Sequence, residues 1–199
     1  MKTDLLIATG NKGKYNEFIQ YLGNSQFNLI SLENYNIVEP EENGDSYTEN
    51  ALIKAKYYCK KTNLISLSDD SGLSIDQLNG EPGIYSARWA GENKDFNTAI
   101  EVIKKKLLEN NIDLDNVTGS FHCSLILYRP DNSYEEFYGK VDGKITFPSR
   151  GDNGFGYDPI FIPNGYKNTF SEMDKQTKLL LSHRYQAIIK LKNHINHLL

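Results

Sequence analysis

The apolar positions change their period several times along the chain, and each change marks an element. Leu5-Leu6-Ile7-Ala8 is an unbroken apolar run that stops abruptly at Thr9-Gly10-Asn11-Lys12-Gly13-Lys14. Tyr15, Phe18, Ile19 and Leu22 then recur at i, i+3, i+4 and i+7, which predicts a helix with one apolar face, ended by Gly23-Asn24. Ser46-Tyr47-Thr48-Glu49 has the spacing of a capping box, and Ala51, Leu52, Ala55, Tyr58 and Cys59 line one side of the helix it opens. Leu64 to Ser68 reads as a short buried strand ending in a polar turn, Asp69-Asp70-Ser71-Gly72. A Gly/Pro-punctuated loop from Leu78 to Gly91 leads to a helix carrying Ile100, Ile103 and Leu107. Strict alternation from Ser120 to Tyr128 predicts a strand, and Tyr134 to Thr146 another, broken by Asp142-Gly143. The last helix begins near Ser182-His183-Arg184 and places Ile188, Leu191, Ile195 and Leu198 on one face.

Helices interspersed with strands, two of the strands ending in polar turns, predict an α/β fold with a mixed central sheet and flanking helices. Such turns converge in one cleft in open α/β sheets. No internal repeat or linker interrupts the chain, so its 199 residues are read as one domain, with room for two lobes.

Composition narrows the function. A net charge of −4 argues against general nucleic-acid or membrane-surface binding, which demands a basic footprint. Any bound anion must therefore meet a few placed cations. No apolar stretch approaches the ~20 residues needed to span a bilayer. Cys59 and Cys123 have no metal-ligand spacing and read as two buried reduced thiols of a cytoplasmic protein.

Three stretches could carry chemistry. Thr9 to Lys14 sits where a strand end meets a helix N-terminus, a position that favours an anion, although its glycines are wrongly spaced for a Walker A loop and Tyr15 follows Lys14. Asp69-Asp70-Ser71 is open to two readings: an ordinary Asx-type turn, or carboxylates for a hard cation such as Mg²⁺. Gly151 to Pro159 holds three glycines in six residues, interleaved with Phe155 and Tyr157, and so offers flat faces with close backbone approach for a purine. His183 is the one histidine of four in a recognisable motif; His122, His194 and His197 read as structural.

"TGNKGK", "SDDSGL", "GEPGIYSARWAG", "FHCSL", "GFGYDPIF" and "SHR" stand in the order and spacing of the Ham1-like inosine triphosphate pyrophosphatases, which the chain resembles from about Leu5 to Leu191. The resemblance implies a two-lobed α/β fold with the active-site cleft between the lobes. It implies Mg²⁺-dependent cleavage of dITP, ITP and XTP to the monophosphate and pyrophosphate by a homodimer that sanitises the nucleotide pool. On these motifs Thr9, Gly10, Asn11, Lys12, Gly13 and Lys14 would bind the triphosphate. Glu41, beside Glu42, and Asp70 would hold the metal, Asp70 also serving as general base with Asp69 in support, and Ser71 would contact substrate. Phe155, Gly156, Tyr157 and Asp158 would hold the base, with Lys178, His183 and Arg184 completing the purine site. Ser149-Arg150-Gly151-Asp152 is more charged than the family's usual lead-in to that motif. The competing readings are a Maf-like nucleotide pyrophosphatase of different base preference and a non-catalytic nucleotide-binding module.

Overall fold

The computed structural model describes residues 2–197. Leu198, expected on the apolar face of the last helix, lies outside the described residues, as does the side chain of His197. In chain order the strands are β1 (Thr3–Ile7), β2 (Phe27–Ser31), β3 (Ile65–Ile75), β4 (Thr118–Tyr128), β5 (Tyr134–Ile145) and β6 (Phe161–Pro163). The α-helices are α1 (Lys12–Leu22), α2 (Tyr47–Thr62), α3 (Ser86–Trp89), α4 (Phe96–Glu109), α5 (Lys175–Leu181) and α6 (His183–His197).

Leu5, Leu6 and Ile7 are fully buried because β1 is interior to the sheet, with β2 and β3 both parallel to it. The sheet runs β2-β1-β3-β4-β5-β6, and the antiparallel pairing of β5 with β6 makes it mixed. The α/β fold class read from the sequence is therefore the observed one.

Contacts divide the chain into two compact units. The first comprises residues 1–70, 123–138 and 187–199, and the second 71–122 and 139–186. In the first, Ala51, Ala55 and Cys59 of α2 pack with Ile126 and Tyr128, while Leu6, Ala8 and Tyr58 form a second cluster. The second has its own core, built from Leu73 and Ile75 of β3, Ile100, Ile103 and Leu107 of α4, and the aromatic rings of Phe121, Phe161 and Phe170. Cys59 and Cys123 are buried and form no disulfide. No described helix is long and apolar enough to cross a membrane.

Three expectations change. The buried face of α1 is Phe18, Tyr21 and Leu22 with Glu17, and Ile19 is 39% exposed, so the helix is rotated from the face that Tyr15 and Ile19 suggested. Asp69-Asp70-Ser71-Gly72 is not a turn: β3 continues through it to Ile75, because Leu73 and Ile75 beyond it are core residues. Nor does Asp142-Gly143 break β5. Gly143 pairs with Pro163, and a Cβ there would come 2.3 Å from the carbonyl oxygen of Ile162, so the glycine permits close strand approach. The capping box is present, with the Ser46 hydroxyl accepting from the Glu49 N–H at 3.1 Å.

His122 on β4 is half-buried, its Nε2 2.8 Å from Ser120 Oγ. Burial, followed by the charge of Lys140, holds its pKa below the ordinary 6.5, against the opposing pull of Asp142 and Asp76. The unfolded chain thus binds a proton more readily than the folded one, and stability is lost as pH falls below 6.5 toward the folded value. Thermal unfolding should show a midpoint that declines on acidification through this window, and His122→Gln should flatten that part of the profile.

Candidate functional site

The turn after β1 is organised by its own side chains. Asn11 is the N-cap of α1, its Oδ1 accepting from the Lys14 N–H at 3.1 Å, and Thr9 Oγ1 accepts from the Asn11 N–H at 3.2 Å. The Asn11 side chain is thus committed to shaping the turn. Lys12 and Gly10 are exposed, whereas Lys14 is drawn inward and pairs with Asp69 at 3.0 Å. The amides at the start of α1 and the Lys14 ammonium supply the positive potential that an anion needs.

Asp69 and Asp70, buried neighbours on β3, meet two different lysines. Lys54, two turns into α2, lies 3.7 Å from Asp70 Oδ1 and 3.0 Å from Glu42 Oε1, and Asn50 Nδ2 donates to Asp70 Oδ2 at 3.3 Å. The structure thus brings Glu42 to this group, while Glu41 beside it is exposed. Burial raises the Asp70 pKa above the ordinary carboxylate value, opposed by Lys54 and Lys14 and reinforced by Glu42 and Asp69. Burial alone would lower Lys54, but Asp70, Glu42 and Asp69 together outweigh it and its pKa is raised. The two shifts run in the same direction, toward the protonated form of each group.

Lys54 and Asn50 are the functional candidates that motif reading misses. Their signal lay in the helix pattern: they stand at i and i+4, beside Ala51 and Ala55, where a polar pair flanks a stripe of small buried residues.

The second unit holds the residues expected around a purine. Asp158 is buried and its Oδ2 accepts from the Phe155 N–H at 2.7 Å and from Lys178 Nζ at 2.6 Å. Lys178 Nζ also lies 4.7 Å from the centroid of the Phe155 ring, a cation–π contact. Gly154, at φ +82°, passes so near that a Cβ would stand 2.2 Å from Asp158 Oδ2. Phe155 is 36% exposed and offers a flat face. Tyr157 does not: it is 2% exposed, packed edge-on to Phe96, and its hydroxyl donates to the Ser86 carbonyl at 2.9 Å. Arg184, 2% exposed, donates from Nη2 to Ser71 Oγ at 3.0 Å, and the His183 ring stacks on Phe121.

The model of the Ham1 family matches residues 5–194. The chain belongs to the Ham1 family. It is 40% identical to a dITP/XTP pyrophosphatase of Zymomonas mobilis, over 94% of this chain and 89% of the relative. A dITP/XTP pyrophosphatase of Halalkalibacterium halodurans is 43% identical over 94% of this chain and 95% of its own length. Among solved structures, a HAM1 protein from Coxiella burnetii superposes with a TM-score of 0.89 at 34% identity, covering 98% of this chain and 99% of that one. The turn from Thr9 to Lys14, the β3 acids and the Asp158 loop all fall within the Ham1 match.

Asp158→Asn tests the loop's electrostatics. Leaving the Lys178 ammonium buried without its carboxylate should cost about 3 kcal/mol of stability. The loss would be read as a lower urea midpoint with an unchanged slope.

Proposed function

We propose that the protein hydrolyses dITP, ITP and XTP to the nucleoside monophosphate and pyrophosphate; the relatives' names, dITP/XTP pyrophosphatase, support dITP and XTP among these substrates. The observation that supports it most is the pairing of each inward lysine with a carboxylate, Lys14 with Asp69 and Lys54 with Asp70 and Glu42. A polyphosphate brings oxyanions that compete with those carboxylates for the same ammonium groups. Lys14, Lys54 and the amides at the start of α1 then stabilise charge moving onto the pyrophosphate leaving group.

Asp70 takes the role of general base. Desolvation raises its proton affinity, so it is better able to take a proton from water than an exposed aspartate would be. Asn50, donating to one of its oxygens, leaves the carboxylate fixed in direction. The water attacks the α-phosphorus in line with the departing pyrophosphate. No Ser-His-Asp or Cys-His arrangement is required.

The donor chemistry fits Mg²⁺. Asp70 and Glu42 are hard oxygen donors that converge on the same ammonium, Lys54. An ion bound by one or two carboxylates, with waters and substrate phosphates for the rest, is the Mg²⁺ pattern. Asp70 with Glu42, in place of Glu41, would hold it, and it would supply further neutralisation of phosphate charge.

Base choice rests with Lys178, His183 and Arg184, with Phe155 as the stacking face. Hypoxanthine and xanthine present an acceptor O6 where adenine presents a donor amino group, so a pocket of donors leaves ATP with unpaired polar contacts. Phosphate and base sites in one chain, with the family match spanning 5–194, support a single functional domain over 1–199. Cys59 and Cys123, buried thiols outside any disulfide, are consistent with a reducing compartment, the cytoplasm. A homodimer follows from the family resemblance.

The test is pyrophosphate release from dITP with Mg²⁺ and after its removal by chelation. The reading requires Mg²⁺-dependent release from dITP and XTP that exceeds release from dTTP and dUTP. Asp70→Asn, which removes charge without volume, should lower kcat by at least ~10²-fold with the fold retained. A variant with near wild-type kcat at saturating Mg²⁺ would remove Asp70 from the mechanism.

A further inference from the structure

The "FHCSL" stretch of β4 carries a ring that the proposed chemistry does not use. Phe121 is buried, and the His183 imidazole lies flat on it, ring centroids 4.9 Å apart and planes 11° from parallel. Phe121 is also held by two more rings, Phe161 at 4.7 Å and Phe170 at 6.0 Å. Phe161 belongs to β6 and Phe170 donates its N–H to the Phe161 carbonyl at 2.9 Å, so the support is tied to the sheet. His183 begins α6 directly after Ser182, whose hydroxyl accepts from the Tyr185 N–H at 3.1 Å and fixes the first turn of that helix.

We propose that Phe121 is a positioning residue for purine recognition: it fixes the plane of the His183 imidazole so that the ring's edge meets the base in one orientation. The inference rests on the functional reading above. An imidazole attached to a helix start swings about χ1 and χ2, and covering one face with a rigid aromatic plane removes most of those orientations before substrate arrives. The stack therefore acts as preorganisation, the part of affinity that comes from not having to order a side chain on binding. Phe121 meets Phe161 at 60°, Phe170 at 23° and His183 at 11°, so the imidazole contact is the most nearly parallel of the three, and closer than the stack on Phe170.

Because His183 would contact the base equally in ground and transition states, loosening it should raise KM and leave kcat nearly unchanged. Phe121→Leu should raise KM for dITP roughly three- to tenfold, the range expected for one aromatic stack. Phe121→Tyr, which keeps the ring, should restore KM to near the wild-type value. In a His183→Ala background the Phe121→Leu change should have little further effect on KM, because its partner is already gone. Phe121→Met, whose flexible side chain fills gaps, provides the same comparison should the leucine variant fail to fold. A wild-type chain that releases no pyrophosphate from dITP overturns the functional reading and this inference with it. An active wild type in which the two substitutions multiply independently, or in which Phe121→Leu lowers kcat and leaves KM unmoved, overturns the inference alone.

Discussion

Burying the Lys54 ammonium is tolerable only while carboxylates stand against it, and that requirement fixes much of the first unit. Lys54 can reach Asp70 and Glu42 only if α2 lies along β3 and the Glu41-Glu42 segment folds back toward α2. Ala51 and Ala55, fully buried, let the helix come close enough. The same logic operates at Lys14, whose partner Asp69 is the neighbouring strand residue. Two adjacent acids on one strand normally point to opposite faces, and here each finds its own lysine from a different helix. Loss of Lys54 would leave the desolvated Asp70 carboxylate without its nearest ammonium.

The second unit solves a related problem with one acid. Asp158 accepts from a backbone amide and from the Lys178 ammonium through the same oxygen, while Lys178 also faces the Phe155 ring. Backbone and cation are thereby locked to each other, and Gly154 supplies the one backbone conformation that lets the loop pass the carboxylate. Tyr157, anchored through Ser86, ties this loop to the "GEPGIYSARWAG" segment. Residues that read alike in sequence, two aromatics flanking a glycine, thus divide between an exposed face and a buried anchor.

That division shows what the sequence could and could not convey. Strand β4 is present where alternation placed it but is buried on both faces, whereas the α2 face of Ala51, Ala55, Tyr58 and Cys59 and the helix of Ile100, Ile103 and Leu107 were legible because periodicity reports burial directly. The continuation of β3 through Ser-Asp-Asp-Ser-Gly was not, since polar residues paired with lysines from elsewhere in the fold look like a solvated turn when only neighbours are visible. Glu42 and Glu41 are chemically identical in sequence, and only the position of Lys54 separates them. Lys54 itself sits in a helix among other lysines, and its spacing from Asn50 beside the Ala51 and Ala55 stripe is the one sequence signal that separates it from Lys56 and Lys60. The motifs located the site's neighbourhood; long-range charge pairing decided its members.

The central claim is that these buried acids and lysines direct water to the α-phosphorus. Hydrolysis of dITP in ¹⁸O-labelled water measures it most directly, because the attacked phosphorus keeps the new oxygen. The account predicts label in dIMP, unlabelled pyrophosphate, and no dIDP at any time. Label in the pyrophosphate, or dIDP and orthophosphate appearing before dIMP, would contradict it.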